Sequence, residues 1–339
     1  MLPARRVAET RSPARPVPTR FPGLSPASTS EGPAVILLMG PTASGKTALA
    51  VELARRFPVE LVSVDSVQVY RGMNIGTAKP DQATLRTAPH HLIDILDPDQ
   101  RYSAAQFCAD ATTVVAEIRG RGHVPLLVGG TMLYFKALTE GLSPLPAADP
   151  DIRSLIDSMA EASGWPALHA ELARVDPQTA ARLQSNDAQR IQRALEVYYV
   201  SGQPMSALTS QAGRTASRYR AIALALEPSN RHALHERIQR RIDKMLELGL
   251  IGEVRDLRER FDLYPSLPSM RAVGYRQTWQ HIDGQFGLPQ LREKAAAATR
   301  QLAKRQLTWL RGWSDAARFD CLADDVVEQV ATYVAARLG

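Results

Sequence analysis

A glycine-rich segment near the start of the chain limits the possible folds more than any other: Gly40-Pro41-Thr42-Ala43-Ser44-Gly45-Lys46-Thr47. It matches the pattern G-x4-G-K-[ST], in which backbone N–H groups wrap around a phosphate, the lysine adds a point charge and the hydroxyl can coordinate Mg²⁺. The apolar run 34–39 precedes it, and a helical pattern follows it as far as about Phe57. A strand, a loop and the positive end of a helix therefore predict a phosphate-binding site.

Around this loop, apolar runs alternate with helical patterns. Residues 60–64 predict a second buried strand that ends at Asp65, and residues 124–128 predict a third. Between them, Ser103 and Gln106 have the spacing of a capping box at the start of an amphipathic helix. This alternation predicts the α/β class: a P-loop NTPase-like parallel sheet with flanking helices.

The composition divides the chain further. Residues 1–33 are rich in Pro and Arg and predict a disordered leader, with an organellar transit peptide as the less favoured alternative. Residues 34–142 would form the first part of the α/β core, and 143–217 a helical insertion. A strand at 221–226 and basic helices would complete the core over 218–315, and a C-terminal helix and tail would occupy 316–339. We expect only helices after residue 230.

Charge and cysteine content exclude several classes of protein. The 41 Lys and Arg residues exceed the 35 Asp and Glu residues and give a net charge of +6, which favours a polyanionic partner without identifying it. The 2 cysteines, Cys108 and Cys321, cannot form a disulfide framework, and no cluster predicts structural zinc. No apolar run reaches the roughly 20 residues that a membrane-spanning helix needs, which excludes an integral membrane protein. With only two cysteines, a cytoplasmic protein with no membrane partner is expected.

Asp65 has two interpretations from the residues alone. In phosphate-loop proteins that hydrolyse ATP or GTP, an acidic residue after an apolar strand holds the water shell of the metal. The neighbours Ser66, Gln68 and Tyr70 are instead suited to contacting the edge of a nucleobase. Both interpretations stay open at this level.

Further motifs follow the loop in a fixed order. They are Asp65-Ser66-x-Gln68-x-Tyr70, Asn74-Ile75-Gly76-Thr77-Ala78-Lys79-Pro80, Pro89-His90-His91-Leu92-Ile93-Asp94, Tyr102-Ser103-Ala104, Val128-Gly129-Gly130-Thr131-Met132-Leu133-Tyr134, Asp187-Ala188-Gln189-Arg190-Ile191-Gln192-Arg193-Ala194-Leu195-Glu196, Arg271-Ala272-Val273-Gly274-Tyr275-Arg276 and Lys304-Arg305-Gln306-Leu307-Thr308-Trp309-Leu310-Arg311. With the loop, this series resembles the tRNA dimethylallyltransferases, also called tRNA isopentenyltransferases, in their bacterial form. The resemblance covers Gly40 to Arg311 and depends on the joint order of the motifs.

The resemblance implies a reaction. A dimethylallyl group would pass from dimethylallyl diphosphate to N6 of the adenosine next to the anticodon, in tRNAs that read codons beginning with U. The products would be N6-(dimethylallyl)adenosine and diphosphate. The phosphate loop, Gly40 to Thr47, would then hold a prenyl diphosphate, with Mg²⁺ at Thr47. Charge develops on the departing oxygen, so Lys46, the loop amides and Mg²⁺ should contribute most to catalysis.

The resemblance also assigns roles to single residues. Asp65 would accept the proton of the amine, although a metal-shell ligand or a helix cap is the alternative. Thr131 would lie beside the reacting centre, or serve only as an N-cap. Ser66 and Gln68 are polar enough to hold an adenine that has been extruded from the anticodon loop. Lys46, Asp65 and Thr131 form the expected catalytic set.

The implied tRNA-binding residues lie in several separate segments and contact the anticodon stem-loop. They are Asp65, Ser66, Val67, Gln68, Thr131, Arg153, Gln189, Arg190, Ile191, Gln192, Arg193, Arg271, Ala272, Val273, Gly274, Tyr275, Arg276, Lys304, Arg305, Gln306, Leu307, Thr308, Trp309, Leu310 and Arg311. By spacing alone, a solvated helix face is the favoured interpretation of Arg190 and Arg193, and only the resemblance assigns them to tRNA. A cationic row at Arg300, Lys304 and Arg311 suits a phosphate backbone better.

Some expectations rest on weaker signals. Tyr275 follows a Val-Gly turn and could stack on a base. Arg237 and Arg241 could neutralise diphosphate. His90 and His91 would face opposite ways on a strand and are read as structural. By their spacing of four residues, Trp309 and Trp313 are expected in the core.

Other functions are compatible with parts of the pattern. An ATP-dependent kinase or ATPase would use the same loop, and an adenylate isopentenyltransferase acting on free nucleotides would share the chemistry without needing the basic region after residue 220. An RNA-binding protein without catalysis leaves the phosphate loop unexplained. We expect a monomer with tRNA and dimethylallyl diphosphate as its partners.

Overall fold

A computed structural model describes residues 32–211 and 218–338. Most of the predicted leader, residues 212–217 at the end of the predicted insertion and Gly339 lie outside the described residues. Within those residues, no helix is both long and apolar enough to cross a bilayer.

The centre of the molecule is a parallel sheet of 6 strands in the order β3-β2-β4-β1-β5-β6. The strands are β1 Ala34–Met39, β2 Val59–Val64, β3 His90–His91, β4 Val124–Gly129, β5 Arg220–Glu227 and β6 Ala317–Asp320. β1 lies in the middle, with Ile36 opposite Leu126 of β4 on one side and opposite Ile222 of β5 on the other. The predicted fold class is confirmed.

Helices cover both faces of this sheet and continue beyond it. They are α1 Lys46–Arg56, α2 Gln82–Thr87, α3 Ala104–Gly120, α4 Met132–Glu140, α5 Pro150–Ser163, α6 Trp165–Val175, α7 Pro177–Ala180, α8 Ala188–Ser201, α9 Met205–Gln211, α10 Arg231–Glu247, α11 Leu250–Arg260, α12 Tyr275–Ile282, α13 Leu288–Arg311 and α14 Val326–Leu338. The capping box of α3 is present: Gln106 N–H donates to Ser103 Oγ at 3.2 Å and Ser103 N–H to Gln106 Oε1 at 2.8 Å.

Alternate residues of each central strand contribute to two apolar layers. On one face of the sheet, Leu37 packs in a cluster with Phe107 of α3 and Phe135 of α4. On the other face, Ile36 belongs to a cluster with Leu53 of α1 and Val330 of α14. Because both faces are covered, the strands read as continuous apolar runs, and this is why the sequence pattern located them.

The prediction of helices alone after residue 230 is wrong at one place. Residues 317–320 form β6, which pairs with the end of β5, with Leu224 opposite Ala317. This edge strand is short and contains Arg318 and Asp320, so it lacks the apolar run that marks a buried strand. Its pairing depends on a neighbour that is distant in sequence.

The described residues between 143 and 211 contain helices and no strand. Helices α5 to α8 share an apolar cluster of their own, which includes Ile156, Leu172, Ile191 and Leu195.

The parallel arrangement brings several sequence motifs to one edge of the sheet. The carboxyl ends of β1, β2 and β4 lie side by side, with Met39 and Val64 both opposite Gly129. The residues that follow these strands are Gly40, Asp65 and Gly130, so the phosphate loop, Asp65 and the Gly-Gly-Thr turn meet there. Ligands bind at this edge of open α/β sheets.

Candidate active site

A cavity of about 770 Å³ opens at this edge of the sheet. Its volume lies within the range of pockets that enclose a small ligand. The lining includes the phosphate loop, Asp65 and Gln68 after β2, residues 76–78, residues 237 and 240–242 of α10, residues 272–274, and Gln306 of α13. Segments that are distant in sequence therefore build one site.

The phosphate loop is held in shape by its own lysine. Lys46 Nζ donates to Gly40 O at 2.9 Å and to Pro41 O at 2.6 Å. Ala43 and Gly45 have φ values of 63° and 85°, in the left-handed region, which for alanine is a strained conformation. Gly45 offers no side chain to cap α1, so the first N–H groups of the helix stay free for an anion in the cavity.

The pKa of Lys46 is lowered from 10.5 to about 7. Burial is the main cause, the nearby Arg241 adds to it, and the negative charge of Asp65 opposes it. At neutral pH, this ammonium group is therefore close to its titration midpoint. An anion that enters the cavity favours the charged form.

Three further cations line the cavity from α10, and two of them donate to backbone carbonyls. Arg237 Nη1 donates to Cys321 O at 3.0 Å, and Arg241 Nη2 donates to Thr77 O at 3.2 Å. Burial lowers the pKa of Arg241, and Asp65 opposes this shift.

Arg240 lines the same cavity and was missed in the sequence, where no motif marks it. Arg240 lies one helical turn from Arg237, and this spacing in the sequence could have indicated it.

Asp65 is anchored through one carboxylate oxygen. Its Oδ1 accepts the N–H groups of Val67 at 2.8 Å and Gln68 at 3.2 Å, which forms an Asx turn at the end of β2. Its Oδ2 has no hydrogen-bond partner among the described residues. The side chain is thus fixed in direction, while one oxygen remains able to accept a proton.

Thr131 occupies the N-cap position of α4, but its hydroxyl makes no cap hydrogen bond. Instead, Thr131 Oγ1 accepts the N–H of Ser66 at 3.1 Å. Gln68 is positioned by Ser63, whose hydroxyl donates to Gln68 Oε1 at 3.1 Å. The structure therefore brings the predicted residues Asp65, Ser66, Gln68 and Thr131 together.

Glu253 of α11 is a site residue that no motif indicated. Its carboxylate accepts the N–H groups of Asn74 at 3.0 Å, Ile75 at 2.6 Å and Gly76 at 3.1 Å. It also accepts the hydroxyl of Tyr275 at 2.6 Å. One carboxylate thus joins two walls of the cavity.

The structure contradicts the expected stacking role of Tyr275. This side chain is 0% exposed, because it packs in an apolar cluster and its hydroxyl is bound by Glu253. A Cβ atom on Gly76 would lie 2.5 Å from the tyrosine ring, so the motif around Gly76 leaves space for Tyr275.

Two arginines of the insertion share one buried carboxylate. Arg153 Nε lies 2.8 Å and Arg193 Nη1 lies 2.6 Å from Glu196, which is 0% exposed. Burial alone would raise the pKa of Glu196, but hydrogen bonds from these arginines lower it below its usual value.

Arg190 is different: its side chain is 71% exposed and pairs only with Asp187 at 3.3 Å. Arg271 Nη2 donates to Gln189 Oε1 at 3.3 Å, which places the two predicted segments in contact.

The outer face of α13 carries Lys304, Arg305, Thr308 and Arg311, all exposed. None of its three cations forms an ion pair with a described residue. Gln306 and Leu310 face inward and are buried.

The expectation that both tryptophans belong to the core is wrong for Trp309, which is 43% exposed, with Lys136 Nζ 6.0 Å from its ring. Trp313 packs edge-on against Phe135. Helix α13 ends at Arg311, so the spacing of four residues does not place both on one helical face.

The adjacent histidines have structural contacts. His90 Nδ1 lies 2.7 Å from Ala88 O, and His91 Nε2 lies 3.0 Å from Glu60 Oε2. Across the residues that the structure describes, no group of three or more His, Cys, Asp or Glu side chains could hold a metal ion.

Comparison with known proteins agrees with this arrangement. A family model described as IPP transferase matches residues 68–313, and one described as Isopentenyl transferase matches residues 33–95. The tRNA dimethylallyltransferase of Thiobacillus denitrificans is 59% identical over 312 residues, which is 92% of this chain and 99% of the relative. That of Ralstonia nicotianae is 57% identical over 314 residues, 91% of this chain and 97% of the relative.

Solved structures show the same likeness. The full-length tRNA isopentenylpyrophosphate transferase from Bacillus halodurans superposes with a TM-score of 0.66 at 36% identity, covering 90% of this chain and 96% of that one. A eukaryotic dimethylallyltransferase acting on tRNA superposes with a TM-score of 0.72 at 26% identity, covering 90% and 77%.

The fold and the cationic cavity define a transferase built on a phosphate loop. The chain belongs to the tRNA dimethylallyltransferase family and is a prenyl-transferring enzyme. The resemblance found in the sequence is thereby confirmed, and the ATP-dependent and free-nucleotide alternatives are not favoured.

Proposed function

We propose that this enzyme transfers the dimethylallyl group of dimethylallyl diphosphate to N6 of the adenosine next to the anticodon, in tRNAs that read codons beginning with U. The observation that carries the proposal is one cavity lined by the phosphate loop with its Lys46, by Arg237, Arg240 and Arg241 of α10, and by Asp65. The cations can stabilise the negative charge of a diphosphate leaving group, and the carboxylate can accept the proton of the incoming amine.

The diphosphate binds to the loop and to the cations of α10. As the bond from C1 of the prenyl group to the diphosphate oxygen breaks, negative charge accumulates on that oxygen. Lys46, the loop amides and the free N–H groups at the start of α1 lie where they stabilise this charge. The guanidinium groups of Arg237 and Arg241 are already oriented by backbone carbonyls, so little ordering is needed when the anion binds.

The cavity also fits a magnesium ion. Mg²⁺ is commonly held by one or two protein oxygens together with the phosphates of a substrate and water. Thr47 supplies one hydroxyl in the phosphate loop, which together with the diphosphate oxygens and water matches such a donor set. When bound there, Mg²⁺ would neutralise charge on the diphosphate.

Asp65 receives the proton that the amine loses. The N6–C1 bond forms as the C1–O bond breaks, and the proton of the amine passes to the free Oδ2 of Asp65. The Asx turn at Oδ1 keeps Oδ2 in one direction. Thr131 is fixed against Ser66 beside this carboxylate, where it contacts the incoming base.

The tRNA lies across the basic surfaces outside the cavity. The insertion, over residues 143–217, contacts the anticodon arm through Arg190 and its neighbours, and the exposed cations of α13 contact the phosphate backbone. The adenine is extruded from the anticodon loop to reach Asp65. The described part of one chain lines the whole cavity, so the proposal requires only a monomer, in the cytoplasm where tRNA is processed.

A labelled-donor assay tests this function. The full chain is incubated with Mg²⁺, labelled dimethylallyl diphosphate and unmodified tRNA that reads U-initial codons. A matched tRNA carries guanosine in place of the adenosine next to the anticodon. We expect label only in the first tRNA and none with Lys46→Ala. Consumption of ATP without any transfer of label would overturn the proposal.

A further inference from the structure

One polar residue lies on the buried face of α13. Gln306 is 8% exposed and sits between Ala303 and Leu310, which are buried on the same face. A primary amide in such surroundings needs hydrogen-bond partners, because an unpaired buried polar group is costly.

Both ends of this amide contact the active site. Gln306 Oε1 accepts the N–H of Thr42, in the phosphate loop, at 2.8 Å. Gln306 Nε2 donates to Gly130 O, next to Thr131, at 3.0 Å. A Cβ atom on Gly130 would lie 2.2 Å from Nε2, so the glycine leaves space for the amide.

We propose that Gln306 is a positioning residue that fixes the phosphate loop relative to the turn that carries Thr131, and that it is not a tRNA contact. The inference rests on the proposed function. The loop holds the leaving group, and Thr131 lies beside the acceptor amine. A side chain that joins the two sets the distance between donor and acceptor, which affects the reaction strongly.

The position of Gln306 separates this role from RNA binding. Lys304, Arg305 and Arg311 lie on the exposed face of the same helix, whereas Gln306 faces the cavity. The resemblance had placed all four residues in one tRNA-binding segment. In the structure, the three cations of that segment form an outer face that is open to a polyanion. Gln306 lies on the inner face, where it bonds the phosphate loop and Gly130.

The first test compares Gln306→Met with wild type in the full chain. Methionine keeps most of the volume and removes both hydrogen bonds. We expect the Kd for dimethylallyl diphosphate to rise about tenfold and the single-turnover transfer rate at saturation to fall about tenfold or more. The Kd for unmodified tRNA should change by less than about twofold. The matched control is Gln301→Met, an exposed glutamine on the same helix, which should leave all three values unchanged.

Two outcomes would overturn the inference: donor affinity and transfer rate unchanged in Gln306→Met, or a loss confined to tRNA affinity. Wild type is assayed in parallel. If wild type transfers no label, the proposed function itself fails. If wild type transfers label and Gln306→Met does so equally well, only the positioning role fails.

Gly130→Ala keeps the inference testable if methionine unfolds the protein, because Gln306 itself is unchanged in that variant, and a double-mutant cycle extends the test. Gly130→Ala places a methyl group where the amide lies, so it should weaken donor binding by displacing Gln306. In a Gln306→Ala background that amide is absent. The factor by which Gly130→Ala raises the Kd for dimethylallyl diphosphate should then be at least about threefold smaller than in wild type. Equal effects of Gly130→Ala in both backgrounds would contradict a shared role.

Discussion

The cations of the cavity and those on the outer face of α13 differ in how the protein holds them. Lys46, Arg237 and Arg241 donate to backbone carbonyls and are only partly exposed, and burial lowers the pKa of Lys46 and Arg241. Lys304 and Arg311 extend into solvent without an ion pair to any described residue.

The difference indicates two kinds of anion. Partly buried cations that are held by the backbone suit a compact ligand such as a diphosphate, whose position must be accurate. Exposed cations without a protein partner suit an extended polyanion, whose affinity comes from the release of counterions.

Asp65→Asn should have the largest effect. An amide cannot accept the proton of the incoming amine, so we expect the single-turnover rate to fall about 10²- to 10⁴-fold. The Kd for tRNA should stay within about threefold, because the charges that bind the backbone lie elsewhere. Rapid-quench measurement of label transfer and filter binding would determine both values. A normal rate in this variant would remove Asp65 from the chemistry.

Combined substitution of Lys304, Arg305 and Arg311 by alanine should weaken tRNA binding by roughly tenfold or more at low salt. The logarithmic salt dependence of the Kd should become shallower by about 2, because three phosphate contacts are lost. Affinity for dimethylallyl diphosphate should not change. An unaltered salt slope would show that this face does not contact RNA.

The pH dependence of wild type should reflect Lys46. Its pKa of about 7 in the free enzyme means that the charged form is lost as pH rises, so kcat/KM for dimethylallyl diphosphate should fall above that pH. The expected fall approaches tenfold per pH unit. Lys46→Arg provides the control, since its guanidinium stays charged and the decline should disappear. A flat wild-type profile would contradict a titrating lysine at the donor site.

The lowered pKa of Lys46 also makes the free energy of unfolding depend on pH. The unfolded lysine keeps its proton up to its usual pKa of 10.5, whereas the folded one loses it near 7. Between these values the unfolded state binds more protons. The contribution of Lys46 to stability therefore increases as pH rises.

Arg193→Ala should give the smallest effect on RNA binding. Arg193 donates to the buried Glu196 and to Pro146 O, so its guanidinium is committed to contacts within the protein. We expect the salt slope for tRNA to change by less than half as much as in Arg305→Ala. The free energy of unfolding should fall by about 2 kcal/mol, because Glu196 loses a partner. Urea denaturation and salt titrations of both variants would check this, and an equal change in slope would assign Arg193 to the RNA surface.

Local patterns explain which parts of this architecture could be predicted. The central strands read as apolar runs because both faces of the sheet are covered, and the phosphate loop has a motif of its own. Strand β6 was missed because its pairing with β5 is a tertiary contact. Glu253 and Arg240 have no local signature. Arg240 lines the cavity because α10 lies there, and Glu253 has a role only through its hydrogen bonds to residues 74–76 and Tyr275. The burial of Tyr275 and the exposure of Trp309 likewise depend on neighbours distant in sequence.

The most direct test of the division between cavity and surface is to titrate two variants with two ligands. Lys46→Ala and the triple variant of Lys304, Arg305 and Arg311 are each titrated with dimethylallyl diphosphate and with unmodified tRNA. We expect Lys46→Ala to lose affinity for dimethylallyl diphosphate and keep its affinity for tRNA, and the triple variant to show the reverse. If both variants lose affinity for the same ligand, the cavity and the outer face of α13 do not bind separate anions.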